Sequence, residues 1–371
     1  MAMNERQATA LKLQREGLTV QQIADKLGIA QSGAKSLLER ARRWEGADSA
    51  LTAGATAIGA DSPASVVWTK TDKDGNTTYS VMHSNKPKQA DPSEIAEAIR
   101  EGLAGIAPPP APPKPHAQSD LLAIFPVADL HMGLLTDQEE VGEDWNTKKA
   151  QRVFQETFGR IVSVTPGAET AILAQLGDLT HNDDQRNVTP QSGHQLDVDS
   201  RYFVILRRAV AAMKWAIESL RAKYGQVIYC GRRGNHDVTA HYAVTLALAE
   251  YYSGAEDVTI ITDASEFYVH EFGANMILLH HGDRAKPERL VHFAAAEFPQ
   301  IWGRTRHRIA LSGHVHHATR KEIGGMAFES IGTIIPRDAH AYGHAYSASR
   351  ALVSIVHHAD QGEISRARVG V

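Results

Sequence analysis

Apolar positions in the first forty residues recur at helical spacing, whereas beyond residue 118 they come in short unbroken runs. The chain therefore reads as a small all-α beginning followed by an α/β body. Residues 5–16 bring Ala8, Leu11 and Leu13 near one face and stop at Gly17, which predicts a short first helix. Thr19 followed three residues later by Gln22 is a capping box for a second helix with a stripe of Val20, Ile23, Ala24 and Leu27, and Gly28 supplies the turn. Ala34, Leu37, Leu38 and Ala41 predict a third helix with Lys35, Arg40, Arg42 and Arg43 on its other sides. Helix, glycine turn and basic helix make the pattern of a helix-turn-helix, although a three-helix oligomerisation module shares the same apolar stripe.

Residues 46–64 are rich in Ala, Gly and Ser and read as a tether. The alternating stretches VVWTKT and TTYSVMHS flank Asp74-Gly75-Asn76, a hairpin signal. Residues 91–104 predict one more helix, and the run from Pro108 to Pro115 predicts a stiff spacer. The expected parts are a helical module over 1–45, a connecting region over 46–118 and a main domain over 119–371.

Composition narrows the function classes. The 371 residues are 43% hydrophobic and 22% charged, ordinary for folded domains. No apolar run reaches the ~18 residues of a spanning helix, and the start MAMNERQATALKL lacks the apolar stretch of a signal peptide. A single cysteine, Cys230, allows no internal bridge and fits a reducing compartment. A soluble protein in the cytoplasm of a bacterium or a phage-infected cell, with no membrane partner, is the expectation. The formal charge of −4 excludes coating nucleic acid by bulk electrostatics, and residues 1–45 hold only eight Lys/Arg against five Asp/Glu. DNA binding by that module is expected to be weak, and homo-oligomerisation through it is the alternative. Gly28 to Ser36 is not a P-loop, because one residue too many precedes the lysine and no strand leads into it.

In the body, the runs LLAIFPVADL, TAILAQLGDL, GQVIYCGRRGNHD, NMILLHHGD and RIALSGHVHH alternate with helical stretches such as 200–223 and 241–252. Each run ends in a cluster containing His, Asp or Asn. In open α/β sheets ligands collect at the carboxyl ends of strands, so the five clusters are expected to share one site. Asp129-Leu-His131 and His314-Val-His316 separate two ligand types by one position, which in extended chain projects both to one side. Asp178 offers a carboxylate able to bridge two cations. Asn235, His236 and Asp237 are neighbours whose side chains diverge, so that one can bind metal while the next faces substrate. Oxygen and imidazole donors without thiolate suit Mn²⁺ first, with Fe²⁺, Ni²⁺ or Zn²⁺ as alternatives.

Taken in order, D-x-H, G-D-x-x-H, G-N-H-D, H-G and G-H-x-H resemble the calcineurin-like metallophosphoesterases over about 121–371. DLHMG and GDLTH look closest to that superfamily's DNA-processing branch. SGHQLDVDSRY, with EDWN upstream, is similar to phage and prophage proteins described as metallophosphoesterases or DNA-repair exonucleases. The segment QQIADKLGIAQSGAKSLLERARR resembles the helix-turn-helix units of bacterial regulators and sigma-factor-type domains over about forty residues. The first resemblance implies a layered α/β fold, a β-sandwich flanked by helices. It also implies Asp129, His131 and His316 on a first metal, Asp178 between both, and Asn235, His281 and His314 on a second, with His280 as the fallback for His281. It makes His236 the substrate-facing acid.

Two cations ~3.5–4 Å apart hold phosphate oxygens and lower the pKa of a shared water, so that a bridging hydroxide is the expected nucleophile. Asp237 is expected either to orient the His236 imidazole or to cap a helix. Asn182, Asp183 and Asp184, which directly follow the bridging carboxylate, read either as support behind the metal ligands or, the favoured reading, as a solvated loop. Arg201, Arg232, Arg233 and Arg284 read either as phosphate contacts or as structural ion pairs, and the Trp and Tyr residues form no evident stacking platform. The expected activity is a two-metal phosphodiesterase, a DNA nuclease of exonuclease type. The alternatives are a phosphomonoesterase or cyclic-nucleotide phosphodiesterase whose N-terminal module serves assembly, and a non-enzymatic DNA-binding or scaffolding protein.

Overall fold

In the computed structural model, which describes residues 5–42, 66–71, 77–82 and 118–371, the chain divides into two units, Met1–Gln89 and Ala90–Val371. The first opens with helices α1 (Glu5–Arg15), α2 (Val20–Leu27) and α3 (31–42). The capping box forms: Gln22 N–H donates to Thr19 Oγ1 at 3.4 Å, and Thr19 N–H donates to Gln22 Oε1 at 2.9 Å. Gly28 ends α2 in the left-handed conformation, φ 64°, that a side chain with Cβ disfavours. Ala10, Leu11, Ile23, Ala24, Ala34, Leu38 and Ala41 form the core of the three helices. Ala8 is exposed and Ala10 takes its expected place, because Gln7, Ala10 and Leu11 share the inward face at i, i+3 and i+4. Lys35, Arg40 and Arg42 stay in water. Strands β1 (Val66–Thr71) and β2 (Thr77–Met82) pair antiparallel, Val66 opposite Met82 and Thr71 opposite Thr77. The Asp74-Gly75-Asn76 turn, the 46–64 tether, the 91–104 helix and the Pro108–Pro115 spacer lie outside the described residues.

The second unit is a sandwich of two sheets. Strands β3 (Leu121–Val127), β4 (Thr170–Gln175), β5 (Gln226–Gly231) and β6 (Val258–Ile261) run parallel, and β12 (Ala351–His358) and β13 (Gly362–Gly370) extend that sheet antiparallel beside β3. The other sheet has the order β10 (Thr319–Ile323), β11 (Met326–Ser330), β9 (His307–Ser312), β8 (Asn275–Leu279), β7 (Tyr268–Phe272), with β8, β9 and β11 parallel. All seven residues of β3 are buried, as expected of a parallel strand covered on both faces. Its alternate residues serve different layers. Leu122 and Ile124 join Ile172, Ala174 and Cys230 against Ile277, Leu279, Ile309 and Leu311 between the sheets.

Phe125 and Val127 face the other way, toward helices α5 (Thr147–Val164), α6 (Tyr202–Arg221) and α7 (Ala240–Tyr251), which contribute Phe154, Phe158, Met213, Ile217 and Leu248. Short helix α4 (Gln138–Val141) precedes α5. On the far face of the second sheet, Leu290 and Ala294 of α8 (Pro287–Glu297) cover Met276, Leu278 and Phe328, with Ile301 and Trp302 of α9 (Pro299–Arg304) packed alongside. The result is helices, sheet, sheet and helices, the layered α/β core expected from the strand runs and the β-sandwich that the resemblance implied. Among the described residues no helix is long and apolar enough to cross a membrane.

Candidate metal centre

Each cluster lies just beyond a strand: Asp129 follows β3, Asp178 follows β4, Asn235 follows β5, His281 follows β8 and His314 follows β9. The loops are tied to one another by backbone. His131 N–H donates to Asp178 O at 2.9 Å, Asp129 N–H to Gly177 O at 3.2 Å and Gly313 N–H to His281 O at 2.8 Å.

The backbone at these positions is strained. Seven described residues other than glycine have positive φ, and five are Asp129 (51°), His131 (40°), Asp178 (51°), His314 (71°) and His316 (57°). Such conformations cost about 1–3 kcal/mol each and persist only where the surroundings impose them. They correct one expectation. Asp129 pairs with His131, and His314 with His316, through left-handed loop geometry rather than the alternation of extended chain, because both pairs lie past the last residue of their strands.

The side chains converge. Asp129, His131 and His316 bring one ligand atom each within 4.8 Å of one another, as do Asp178, His281 and His314. Asn235 joins the second group, its Oδ1 3.0 Å from His281 Nε2. One oxygen, Asp178 Oδ2, lies 3.7 Å from His131 Nε2 and 3.4 Å from His281 Nε2, reaching both groups. Its partner Oδ1 accepts the His236 N–H at 2.8 Å. His316 Nε2 is 3.2 Å from His131 Nε2 and 3.6 Å from Asp129 Oδ1. Two glycines allow the carboxylates this close to backbone: a Cβ on Gly234 would run into the Asp178 carboxylate, and one on Gly313 would stand 2.7 Å from Asp129 Oδ2.

The electrostatics suit a cation. Burial pushes His131 well below the ordinary histidine range and His316 down to about 4, leaving both imidazoles neutral and able to donate a lone pair. Burial raises Asp129 well above its ordinary value. Burial also opposes charge on Asp178 and His281, but each outweighs it for the other: Asp178 is held well below the usual carboxylate range, and His281 is pushed up to about 10. The proton on His281 supplies positive charge that the surrounding carboxylates demand, which a bound cation also supplies. Buried carboxylates, an amide oxygen and neutral imidazoles without a thiolate fit a borderline to hard divalent ion.

His281, not His280, faces Asp178; the His280 ring instead stacks at 5.9 Å on Phe267. His236 is half-buried, and its Nδ1 donates to the His181 carbonyl at 2.8 Å, leaving Nε2 free of that bond. Asp237 neither orients the imidazole nor caps a helix. Its fully buried carboxylate accepts from the N–H groups of Gly234 (2.6 Å), Leu179 (2.7 Å) and Asp178 (3.2 Å), clamping the second and third loops together. The helix cap is Asp183, which accepts from Thr239 and Ala240 N–H at 2.7 Å each. Asn182 and Asp183 are therefore buried structure and not a solvated loop, since the start of α7 needs an acceptor there.

Arg232 pairs with Asp263 at 2.9 Å, Arg233 with Glu266 at 2.6 Å and Arg284 with Glu266 at 2.7 Å, the structural alternative for all three. Arg201 is exposed immediately before α6. One residue given no role by the sequence belongs to the site. His181 is buried, its Nδ1 is 3.1 Å from His131 Nδ1, and with His131 and His236 it forms a third ligand-type group. Burial drives it down to about 3, so it stays neutral. Its place in GDLTH was the available signal.

No curated protein matches the chain. Similar solved structures include a conserved uncharacterized protein described as a predicted phosphoesterase from Streptococcus pneumoniae TIGR4, at 13% identity over 68% of this chain and 98% of that one, TM-score 0.29. Yfce, a phosphoesterase from E. coli, is 14% identical over 67% and 100%, TM-score 0.32. A novel archaeal phosphodiesterase is 11% identical over 68% and 99%, TM-score 0.30. The N-terminal residues 1–44, which hold the three helices, match the family model described as Sigma-70, region 4.

Proposed function

We propose that the chain is a metal-dependent phosphodiesterase acting on DNA, with a DNA-contacting module at 1–45, a connecting region at 46–118 and a catalytic domain at 119–371. The observation that carries this reading is Asp178 Oδ2 standing within 3.7 Å of one ligand group and 3.4 Å of the other, in a site where five ligand-type residues hold strained backbone. Asp129, His131 and His316 are assigned to one divalent ion and Asn235, His281 and His314 to a second, with Asp178 shared and Mn²⁺ the preferred metal. Such ions, when bound, polarise a phosphoryl oxygen and make water a nucleophile near neutral pH.

The chain's own groups do the rest. His236 is the proton donor to the leaving alkoxide, at Nε2, because its Nδ1–H is spent on the His181 carbonyl. The His236 N–H on Asp178 Oδ1 fixes that ring relative to the shared carboxylate. Asp237 positions the loops that carry both. DNA as substrate is supported by the sigma-70 region 4 match and by the exposed Lys35, Arg40 and Arg42. Tethering such a module raises local substrate concentration even when its own affinity is low. The likeness of SGHQLDVDSRY to phage proteins bears on origin and not on substrate.

Hydrolysis of p-nitrophenyl phosphate, bis-p-nitrophenyl phosphate and end-labelled single- and double-stranded DNA, with Mn²⁺, tests the reading. The diester and DNA are expected to be cleaved, and Arg40→Glu with Arg42→Glu is expected to slow only DNA, most at low salt and less as salt rises. Turnover confined to the monoester would replace the reading with a phosphomonoesterase.

A further inference from the structure

Thr333 Oγ1 donates to the Asp129 carbonyl at 2.7 Å, and from there the buried Ile334 and Ile335 lead into a segment at the rim of the metal centre. Asp338 lies near enough to His316 to be among the charges acting on it, and its carboxylate caps helix α10 (Ala339–Gly343) through the Ala341 N–H at 2.7 Å. Helix α10 packs on α4, which follows the Asp129–His131 loop. Two aromatic rings stand in water on this support. Tyr342 is 48% exposed, with the Arg337 guanidinium 4.8 Å from its ring centroid, and Tyr346 is 62% exposed, with the His344 ring stacked on it at 5.7 Å and 21°.

Arg337 is exposed and forms no ion pair among the described residues, unlike Arg232, Arg233 and Arg350. Val315, between His314 and His316, is 44% exposed.

We propose that residues 337–346 form a stacking platform for the unpaired bases of a single-stranded DNA end, beside the phosphodiester held for cleavage; its link to cleavage rests on the phosphodiesterase reading. A nucleobase in a duplex already has its faces covered, so exposed rings select bases that are free. Guanidinium and imidazole partners hold the rings in place and so lower the entropy lost on binding. Arg337, without a carboxylate partner among the described residues, is left to attract the backbone of the same strand.

The test compares a single-stranded oligonucleotide carrying terminal 2-aminopurine with an equally long abasic tetrahydrofuran tract, on the full chain, with Ca²⁺ for binding and Mn²⁺ for cleavage. The wild type is expected to quench the fluorophore and to bind the base-bearing strand about tenfold or more tightly than the abasic tract. Tyr342→Ala/Tyr346→Ala should lose that preference while cleaving the abasic tract at the wild-type rate, and Tyr342→Phe/Tyr346→Phe should restore it. Equal binding of the two strands by the wild type, or undiminished preference in the double alanine variant, overturns the platform. A wild type that cleaves neither strand overturns the phosphodiesterase reading instead, and the Ca²⁺ binding arm still decides the platform.

Discussion

The three-helix unit and the sandwich spend their conformational energy in opposite ways. In residues 5–42 only Gly17 and Gly28 take positive φ, so every residue with a side chain sits in ordinary backbone and the unit's order comes from caps and one apolar stripe. In the sandwich, relaxed strands end in loops where Asp129, His131, Asp178, His314 and His316 are all left-handed. Local rules are obeyed where the chain only has to pack, and broken where side chains from five strands must meet. Five of the seven broken positions among the described residues carry ligand chemistry, Asn187 and Ala345 being the other two.

The largest test of that contrast is Asp178→Ala. It removes the one oxygen that reaches both groups, and loss of both cations should lower phosphodiester turnover on the order of 10⁴-fold or more. Bound metal measured by elemental analysis should fall with it, while circular dichroism of the helices should not. His236→Ala leaves every proposed ligand in place, so metal content should hold while kcat falls about 10²–10⁴-fold. An unchanged rate in that variant would remove His236 as the acid.

Chelation probes the strain directly. Withdrawing the cations that hold the left-handed loops should lower the melting temperature of the sandwich by several degrees, at about 2–4 °C per kcal/mol. Hydrogen exchange should quicken over 127–133, 176–182 and 312–317 and stay constant over 20–41; uniform quickening would contradict the division. The smallest effect belongs to the helical unit. Thr19→Ala removes one half of the capping box and should cost α2 about 1 kcal/mol, read as lower exchange protection over 20–27, with no change in diester turnover.

Much of this was legible before any coordinates. The capping box at Thr19 and Gln22, the unbroken apolar run of β3 and the order of polar clusters after strand runs depend on neighbours in sequence, and each folds as its pattern predicts. Asp237 was legible only as a choice between two local roles. Its actual partners include Leu179 N–H, 58 residues away, and no spacing rule carries that information. Asn182 and Asp183 failed for a related reason: a polar triplet after a motif looks like surface until the start of α7, more than fifty residues later, is seen to need an acceptor. His181 stood in a motif that the sequence did exploit, but its nearness to His131 depends on how two loops fold over one another.

The sequence by itself determined the layers, the helical start and the list of oxygen and imidazole donors, because apolar periodicity and residue chemistry act over a few positions. Only the tertiary structure decided which donors stand together, that Asp178 Oδ2 faces both groups, and that Tyr342 and Tyr346 stand exposed. Those outcomes depend on where five strand ends point once two sheets have closed on a common core. The sheet packing fixes that geometry, and no single stretch of the chain encodes it.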